Sequence, residues 1–419
     1  MIRSRWMAAA LLALWPALGF SQVTAIKAGR LVDPEAGTAA PNQVVLVEGG
    51  RVKAVGPGLA VPAGARVIDL SDAVVLPGLF DCHTHLCTGL RFHATTQEEM
   101  LSQLIGYTSQ TTNAYRALQG VANARDMLEG GFTTVRDVGN AGGYADSDLR
   151  RAVENGLVIG PTIINAGRII APFGGQFHVS PERPSLGIPE YHYADTPEEI
   201  RKAVRENVHF GARVIKLVVD DQAYIYSAED IRAAVDEAGR AGLKVAAHCV
   251  TEQGARNAAE ARVASIEHGF GMTDEILALA KKNGVVLVGT DFTREQLDMI
   301  GLGPSHPVVL DRLKRAYKAG MPMAFGSDIF MDVPGRTRAS LALETTRTST
   351  DAGIPPRSTL QSLITNAARL LGVDKDRGAL RPGLWADVIA TRKSPLDDIR
   401  ALDDVVFVMK EGRVVKGGR

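Results

Sequence analysis

The sequence predicts an α/β protein. Its centre, about residues 76–376, reads as a (β/α)8 TIM-like barrel, and its two ends, 22–75 and 377–419, as one small β-sandwich domain. Three observations carry the prediction. Apolar, strand-like runs alternate with helical stretches through the middle of the chain, which favours parallel βαβ units. Polar residues recur where those runs stop, at the strand carboxyl ends that form the working face of such a barrel. The chain ends show short alternating runs and glycine-rich turns instead.

Residues 1–21 read as a secretory signal. Arg3 and Arg5 precede the apolar stretch 7–15, and small residues near Gly19 and Ser21 offer a cleavage point after Ser21. The stretch is too short for a membrane span and is broken by Pro16; no cysteine follows it to take a lipid. The competing reading is a mitochondrial-type presequence or a disordered tail. Export to the periplasm or medium is expected, with no membrane contact after the signal is removed.

The runs 43–48 and 51–55 are separated by Gly49-Gly50 and closed by Pro57-Gly58, as strands with tight turns require. Near the other end, 386–390 and 405–415 repeat the style around a Glu411-Gly412 turn. Neither end holds enough strands for a stable sheet alone, so the two are expected to combine. Between them the apolar strands are 74–85, 133–137, 162–164, then those ending near Lys216, His248 and His268, then 285–288 and 323–325. Eight strands close a barrel. Thr196-Pro197-Glu198-Glu199 and Ser227-Ala228-Glu229-Asp230 read as capped helix starts, and Gly242, Gly284 and Gly320 as left-handed helix terminators.

Composition narrows the class. A chain of 419 residues, 45% hydrophobic with 43 glycines, suits a loop-rich globular enzyme and excludes a disordered or fibrous protein. Basic and acidic residues balance at 47 each with no long run of either sign, which argues against nucleic acid or an anionic membrane as partner. Three cysteines, Cys82, Cys87 and Cys249, form no evident disulfide framework. Cys82 and Cys249 alternate with histidines along their strands and are expected to be small buried hydrophobes.

The polar strand ends carry the chemistry. In Asp81-Cys82-His83-Thr84-His85 the two imidazoles lie two apart, so they share one face of a strand and can hold one cation. Lys216, His248, His268 and Asp328 follow at later strand ends. Taken singly, each histidine is better read as an ordinary core or surface residue; together they reverse that reading.

The order His-x-His, Lys, His, His, Asp on strands one, four, five, six and eight resembles the metal-dependent amidohydrolase superfamily. The segment 131–137, Gly-Phe-Thr-Thr-Val-Arg-Asp, is similar to its imidazolonepropionase-like branch, as are Ser265-Ile266-Glu267-His268-Gly269 and 381–387, Arg-Pro-Gly-Leu-Trp-Ala-Asp. That branch includes Xaa-Pro dipeptidases and ochratoxin-hydrolysing amidohydrolases. The resemblance implies that His83, His85 and Asp328 hold one divalent ion, His248 and His268 a second, and Lys216, as N6-carboxylysine, both. Imidazolonepropionases use one metal and lack this bridge, so Lys216 turns the reading toward binuclear, peptidase-like members. An uncompensated ammonium inside an apolar strand would be costly, which suits a modified lysine. Imidazole-rich ligation favours zinc, with manganese or cobalt as substitutes. Two such ions activate water near neutral pH, and Asp328 is placed to move its proton. By analogy with exported prolidase-like members, a homo-oligomer, up to an octamer, is expected.

The expected reaction is hydrolysis of the amide bond of a dipeptide or N-acyl amino acid, carboxypeptidase-like and including ochratoxin-like aryl amides. Ring opening of a cyclic amide is the alternative, and a non-catalytic binding protein on the same scaffold is the reading from another class. His178, in the glycine-rich loop 167–195 that is expected to cover the site, Tyr224 and Arg294 are the candidates for holding the substrate carboxylate. Against them stand a solvated loop histidine, a packing tyrosine and a solvated arginine.

Overall fold

The computed structural model describes residues 22–417 except 93, 141 and 178; the signal segment and His178 therefore lie outside the described residues. The chain begins with β1 (Thr24–Asp33), β2 (Thr38–Glu48), β3 (Arg51–Pro57) and β4 (Arg66–Pro77). Then follow β5 (Leu79–Thr84), β6 (Phe132–Asp137), β7 (Thr162–Asn165), β8 (Ile169–Ala171), β9 (Tyr191–Tyr193), β10 (Ile215–Val218), β11 (Val245–Cys249), β12 (Ser265–His268) and β13 (Val286–Val288). It ends with β14 (Val388–Thr391), β15 (Val405–Lys410) and β16 (Arg413–Lys416).

Both ends do combine, but into a single seven-stranded sheet, β16-β15-β14-β4-β1-β2-β3, where the sequence predicts a sandwich. The join is the antiparallel pairing of β14 with β4, and the predicted turn at Glu411-Gly412 has the two positive φ angles, 49° and 78°, that a tight hairpin uses. β4 passes straight into β5 through Gly78. A Cβ there would meet Thr133 Oγ1 at 2.2 Å, so only glycine lets the chain cross so close to β6.

The central strands pair in parallel, as the βαβ pattern predicts, in a three-stranded sheet β5-β6-β7 and a six-stranded sheet β13-β12-β11-β10-β8-β9. Two features differ from the sequence reading. Loop 167–195 is partly ordered as β8 and β9, which pair with each other from Ile169↔Tyr191 to Ala171↔Tyr193. The predicted eighth strand, 323–325, is only a bridge, Leu287↔Met323. Even so it bonds to both neighbours, Ala324 N donating to Leu287 O at 3.0 Å and Cys82 N to Phe325 O at 2.8 Å.

Helices α1 (Gln97–Gln110), α2 (Asn113–Glu129), α3 (Ala145–Glu154), α4 (Pro197–His209), α5 (Ala228–Arg240), α6 (Glu252–Ala261), α7 (Asp274–Lys282), α8 (Arg294–Met299) and α9 (His306–Lys318) fill the intervals. Thr196 and Ser227 cap α4 and α5 in full capping boxes with Glu199 and Asp230, as predicted. Gly242, Gly284 and Gly320 take φ of 70°, 74° and 62°. Strand alternation then sorts the side chains. Ile215 and Leu217 of β10 and Val245, Ala247 and Cys249 of β11 pack with Ile231 and Ala234 of α5 and with Ala255 and Ala258 of α6. Lys216 and His248, on alternate positions, are left to the opposite face. No helix among the described residues is long and apolar enough to cross a membrane.

Candidate metal centre

Three donors meet at the end of β5. His83, His85 and Asp328 each offer an atom within 4.8 Å of the others. His83 Nδ1 lies 2.8 Å from Glu267 Oε2, and His85 Nδ1 lies 2.7 Å from the Gly139 carbonyl. A carbonyl can only accept, so His85 Nδ1 carries the hydrogen; the Glu267 carboxylate fixes His83 in the same way. Both Nε2 atoms therefore face Asp328 Oδ1, at 3.5 Å and 2.9 Å. Burial works to lower the His85 imidazole, but Asp328 outweighs it and holds it above the ordinary value. The three atoms call for positive charge between them; a proton on His85 satisfies one pair, and a divalent cation satisfies all three. Burial, helped by Lys216, pushes His83 down to about 4, so it is a neutral donor at neutral pH. Burial also works to raise the Asp328 carboxyl, but His83 and His85 outweigh it and hold it below the ordinary value.

A second set stands beside the first. The rings of His248 and His268 are 4.4 Å apart, and those of His83 and His268 5.1 Å. His268 Nδ1 lies 2.8 Å from Thr290 Oγ1, which leaves Nε2 for a ligand. His248 Nε2 is buried with no hydrogen-bond partner among the described residues; Asp221 Oδ2 lies 3.6 Å from it. An orphaned buried donor of this kind fits the role of a metal ligand. Lys216 is 2% exposed on the same cavity. Burial draws its amine down to about 8.

Backbone geometry aims these groups. Ile266 of β12 packs on the helices, so simple alternation would send His268 the same way, opposite Glu267. Instead His268 takes φ +65°, and its ring lines the cavity. Asp221, Thr290 and Asp328, all on the cavity wall, also have positive φ, at 79°, 49° and 57°. Each such residue costs about 1–3 kcal/mol, a strain that gathers where a site needs it.

Residues 74–415 match the Amidohydrolase family. The chain belongs to that family. Among its relatives, ochratoxinase of Aspergillus niger is 27% identical over 445 residues, covering 95% of this chain and 87% of that protein. Imidazolonepropionase of Symbiobacterium thermophilum is 28% identical over 383 residues, 83% of each. A solved Xaa-Pro dipeptidase with methionine in its active site superposes with a TM-score of 0.81 at 27% identity, covering 94% of this chain and 100% of the other. The protein is thus an amidohydrolase, a hydrolytic enzyme of the amidase and peptidase kind acting on small molecules, in a family typically dependent on metal.

Behind the donors of this amidohydrolase lies a network built from the 131–137 and 265–269 segments. Glu267 Oε1 accepts from Arg136 Nη2 at 2.7 Å and from Ser265 Oγ at 2.5 Å, while Arg136 Nε donates to Cys82 O at 2.5 Å. Arg136 and Glu267 are fully buried and neutralise each other. One signal points to Glu267: Ser265 and Glu267 lie two apart across Ile266, which puts two polar side chains on one face of the strand.

The donors open into a cavity of about 290 Å³. Gln176 and Phe177 of the predicted covering loop line it. Two predicted substrate contacts do not: Tyr224 is 56% exposed outside it, and Arg294 pairs with Asp298 one turn along α8, Nε to carboxylate at 3.1 Å. All three cysteines are buried and free, as expected.

Proposed function

We propose that this amidohydrolase cleaves the amide C–N bond of a small acyl amide at a pair of divalent ions, zinc first among them. His83, His85 and Asp328 would hold one ion, His248 and His268 the other, and Lys216, as a carbamate, both. Support for the first ion is the convergence of His83, His85 and Asp328, with one ligand atom of each within 4.8 Å of the others, and this observation carries the reading. Support for the carbamate is a buried lysine with no hydrogen bond or ion pair among the described residues, a state too costly for a bare ammonium. Likeness to a Xaa-Pro dipeptidase supports a peptide-type bond.

When bound, such ions supply a nucleophilic water near neutral pH and polarise the scissile carbonyl. The chain's own groups do the rest. Asp328 accepts a proton from the attacking water and delivers it to the departing nitrogen. The water oxygen joins the acyl carbon, the C–N bond breaks, and both water protons finish on the amine. Glu267, held by Arg136, keeps the His83 ring in its ligating orientation. The same reading includes a closed eight-stranded barrel over 76–376, export behind the 1–21 segment and a homo-oligomer.

Chelation to apoenzyme, followed by zinc, tests the reading on a panel of dipeptides, N-acyl amino acids and cyclic imides. Amide cleavage should vanish on chelation and return with the metal. Cleavage that persists in metal-free protein would overturn it.

A further inference from the structure

Among the described residues that line the cavity there is no arginine, and Lys216 is the one lysine; the acids are Asp328, Glu190 and Asp221. A substrate carboxylate therefore meets no guanidinium or free ammonium there, whereas a positive charge finds a partner. Asp221 is placed to be that partner. It follows β10 in Asp220-Asp221, and the two carboxylates serve different ends. Asp220 is fully buried and accepts from Val250 N at 2.8 Å and from Thr251 N and Oγ1 at 2.9 and 2.6 Å, which ties the end of β10 to the start of α6. Asp221 takes φ +79° and turns to the cavity. Its orientation is fixed from outside the donor set. Tyr191 Oη donates to Gln176 Oε1 at 3.0 Å, so the Gln176 amide nitrogen is turned to Asp221 Oδ2, 2.9 Å away. Gln97 Nε2, at the first residue of α1, reaches Oδ1 at 3.5 Å. Both amides are neutral. No lysine or arginine among the described residues pairs with Asp221, whose side chain is 20% exposed, and His248 Nε2 stands 3.6 Å from Oδ2. A carboxylate that far out of water calls for a cation.

We infer that Asp221 takes an ammonium group of the substrate, and that the substrate is the amide of an apolar α-amino acid whose own amine is free. His248 belongs to the second donor set, so a cation on Asp221 sits directly beside the reacting carbonyl. An α-ammonium, one carbon from that carbonyl, spans the separation; an ammonium at the end of a lysine side chain would have to fold back to reach it. Met100, Leu104, Phe270 and Phe330 on the same wall receive the apolar side chain and the leaving amine. Since no arginine or free lysine stands among the described lining residues, a carboxylate on the leaving amine is not what the site recognises. The inference rests on the amide-hydrolase reading above and moves the recognised charge from the leaving amine to the acyl part. Bond making is unchanged: the water oxygen joins the aminoacyl carbon, the C–N bond breaks, both water protons finish on the leaving amine, and the ammonium keeps its own.

Leucyl-leucine, its C-terminal amide, its N-acetyl derivative and the N-acetyl amide share one scissile bond and vary each charge separately. With zinc-loaded enzyme and chromatography of the products, kcat/KM for cleavage between the leucines should be at least about a hundredfold higher for the two compounds with a free amine than for their acetylated partners, because acetylation leaves Asp221 without its counter-charge. Amidating the carboxylate should change it by no more than about fivefold, the effect of a charge with no buried partner. Asp221→Asn should shrink the preference for the free amine by about tenfold or more, while elemental analysis still finds as many ions as in the parent enzyme. Equal cleavage of acetylated and free compounds overturns the ammonium assignment and leaves the amide-hydrolase reading standing. A preference that survives Asp221→Asn puts the recognition elsewhere, and ions lost in that variant make Asp221 a metal donor instead; either result overturns the role given to Asp221. A requirement for the free carboxylate overturns the substrate class. Cleavage of none of the four overturns the inference, and the wider panel of amides above then decides the amide-hydrolase reading by itself.

Discussion

At the scale of single residues, His83 shows how a ligand is held in place. Its Nδ1 is 2.8 Å from Glu267, whose other oxygen takes the Arg136 guanidinium, so the ring has one tautomer and one orientation. Glu267→Gln keeps the shape but leaves Arg136 buried without its counter-charge and lets the amide turn either way. Competition with a coloured chelator should show metal affinity down by roughly 10–100-fold; unchanged affinity would mean that Glu267 only packs. Asp328 has a separate role. Asp328→Asn should fold normally, as circular dichroism would show, yet lose turnover by about 10²–10⁴-fold. Near-normal turnover would make it a bystander. His83, His85, Lys216, His248, His268 and Asp328 are legible as candidates because each is a polar residue in or just past an apolar run, and all six line the cavity. The pairing of Arg136 with Glu267 is not legible, because it spans 131 residues and exists only once β6 and β12 face each other.

At the scale of elements, local chemistry was readable and non-local pairing was not. The caps at Thr196 and Ser227 and the left-handed glycines depend on neighbours within a turn, so the chain announces them. β8 and β9 are three residues each and become strands only by pairing across the loop 172–190, which no periodicity reveals. The segment 323–328 reads as a strand by its apolar run. Gly326 and the positive φ of Asp328 end its ladder early; a Cβ on Gly326 would sit 2.7 Å from the Cβ of His83. The terminal sheet is tied to the centre by a buried cluster: Asp387 accepts from Arg377 at 2.8 Å and from Lys410 at 3.0 Å, and both cations also reach Thr162 of β7. Asp387→Ala would strand two buried cations with only Glu411 to share. Urea unfolding should show a loss of about 3 kcal/mol, and a change within the error of the measurement would mean that the cluster is well solvated.

At the scale of the whole molecule, sheet, strand ends and cavity together bring polar side chains from five separated stretches of chain to one cavity. The α/β architecture was legible because alternation of strand and helix is a long-range repeat that survives local error. The sandwich was misjudged since strand count does not reveal whether seven strands lie in one sheet or two. Tyr224 and Arg294 suit a carboxylate by residue type, but their positions, off the cavity wall, depend on how the loops fold and are not legible in the sequence. Everything proposed about chemistry rests on two ions being held at once, and elemental analysis of the active, purified protein measures that directly. About two divalent ions per chain are expected, falling together with activity in Lys216→Ala, which removes the proposed bridge. A fully active preparation holding one ion or none would contradict it.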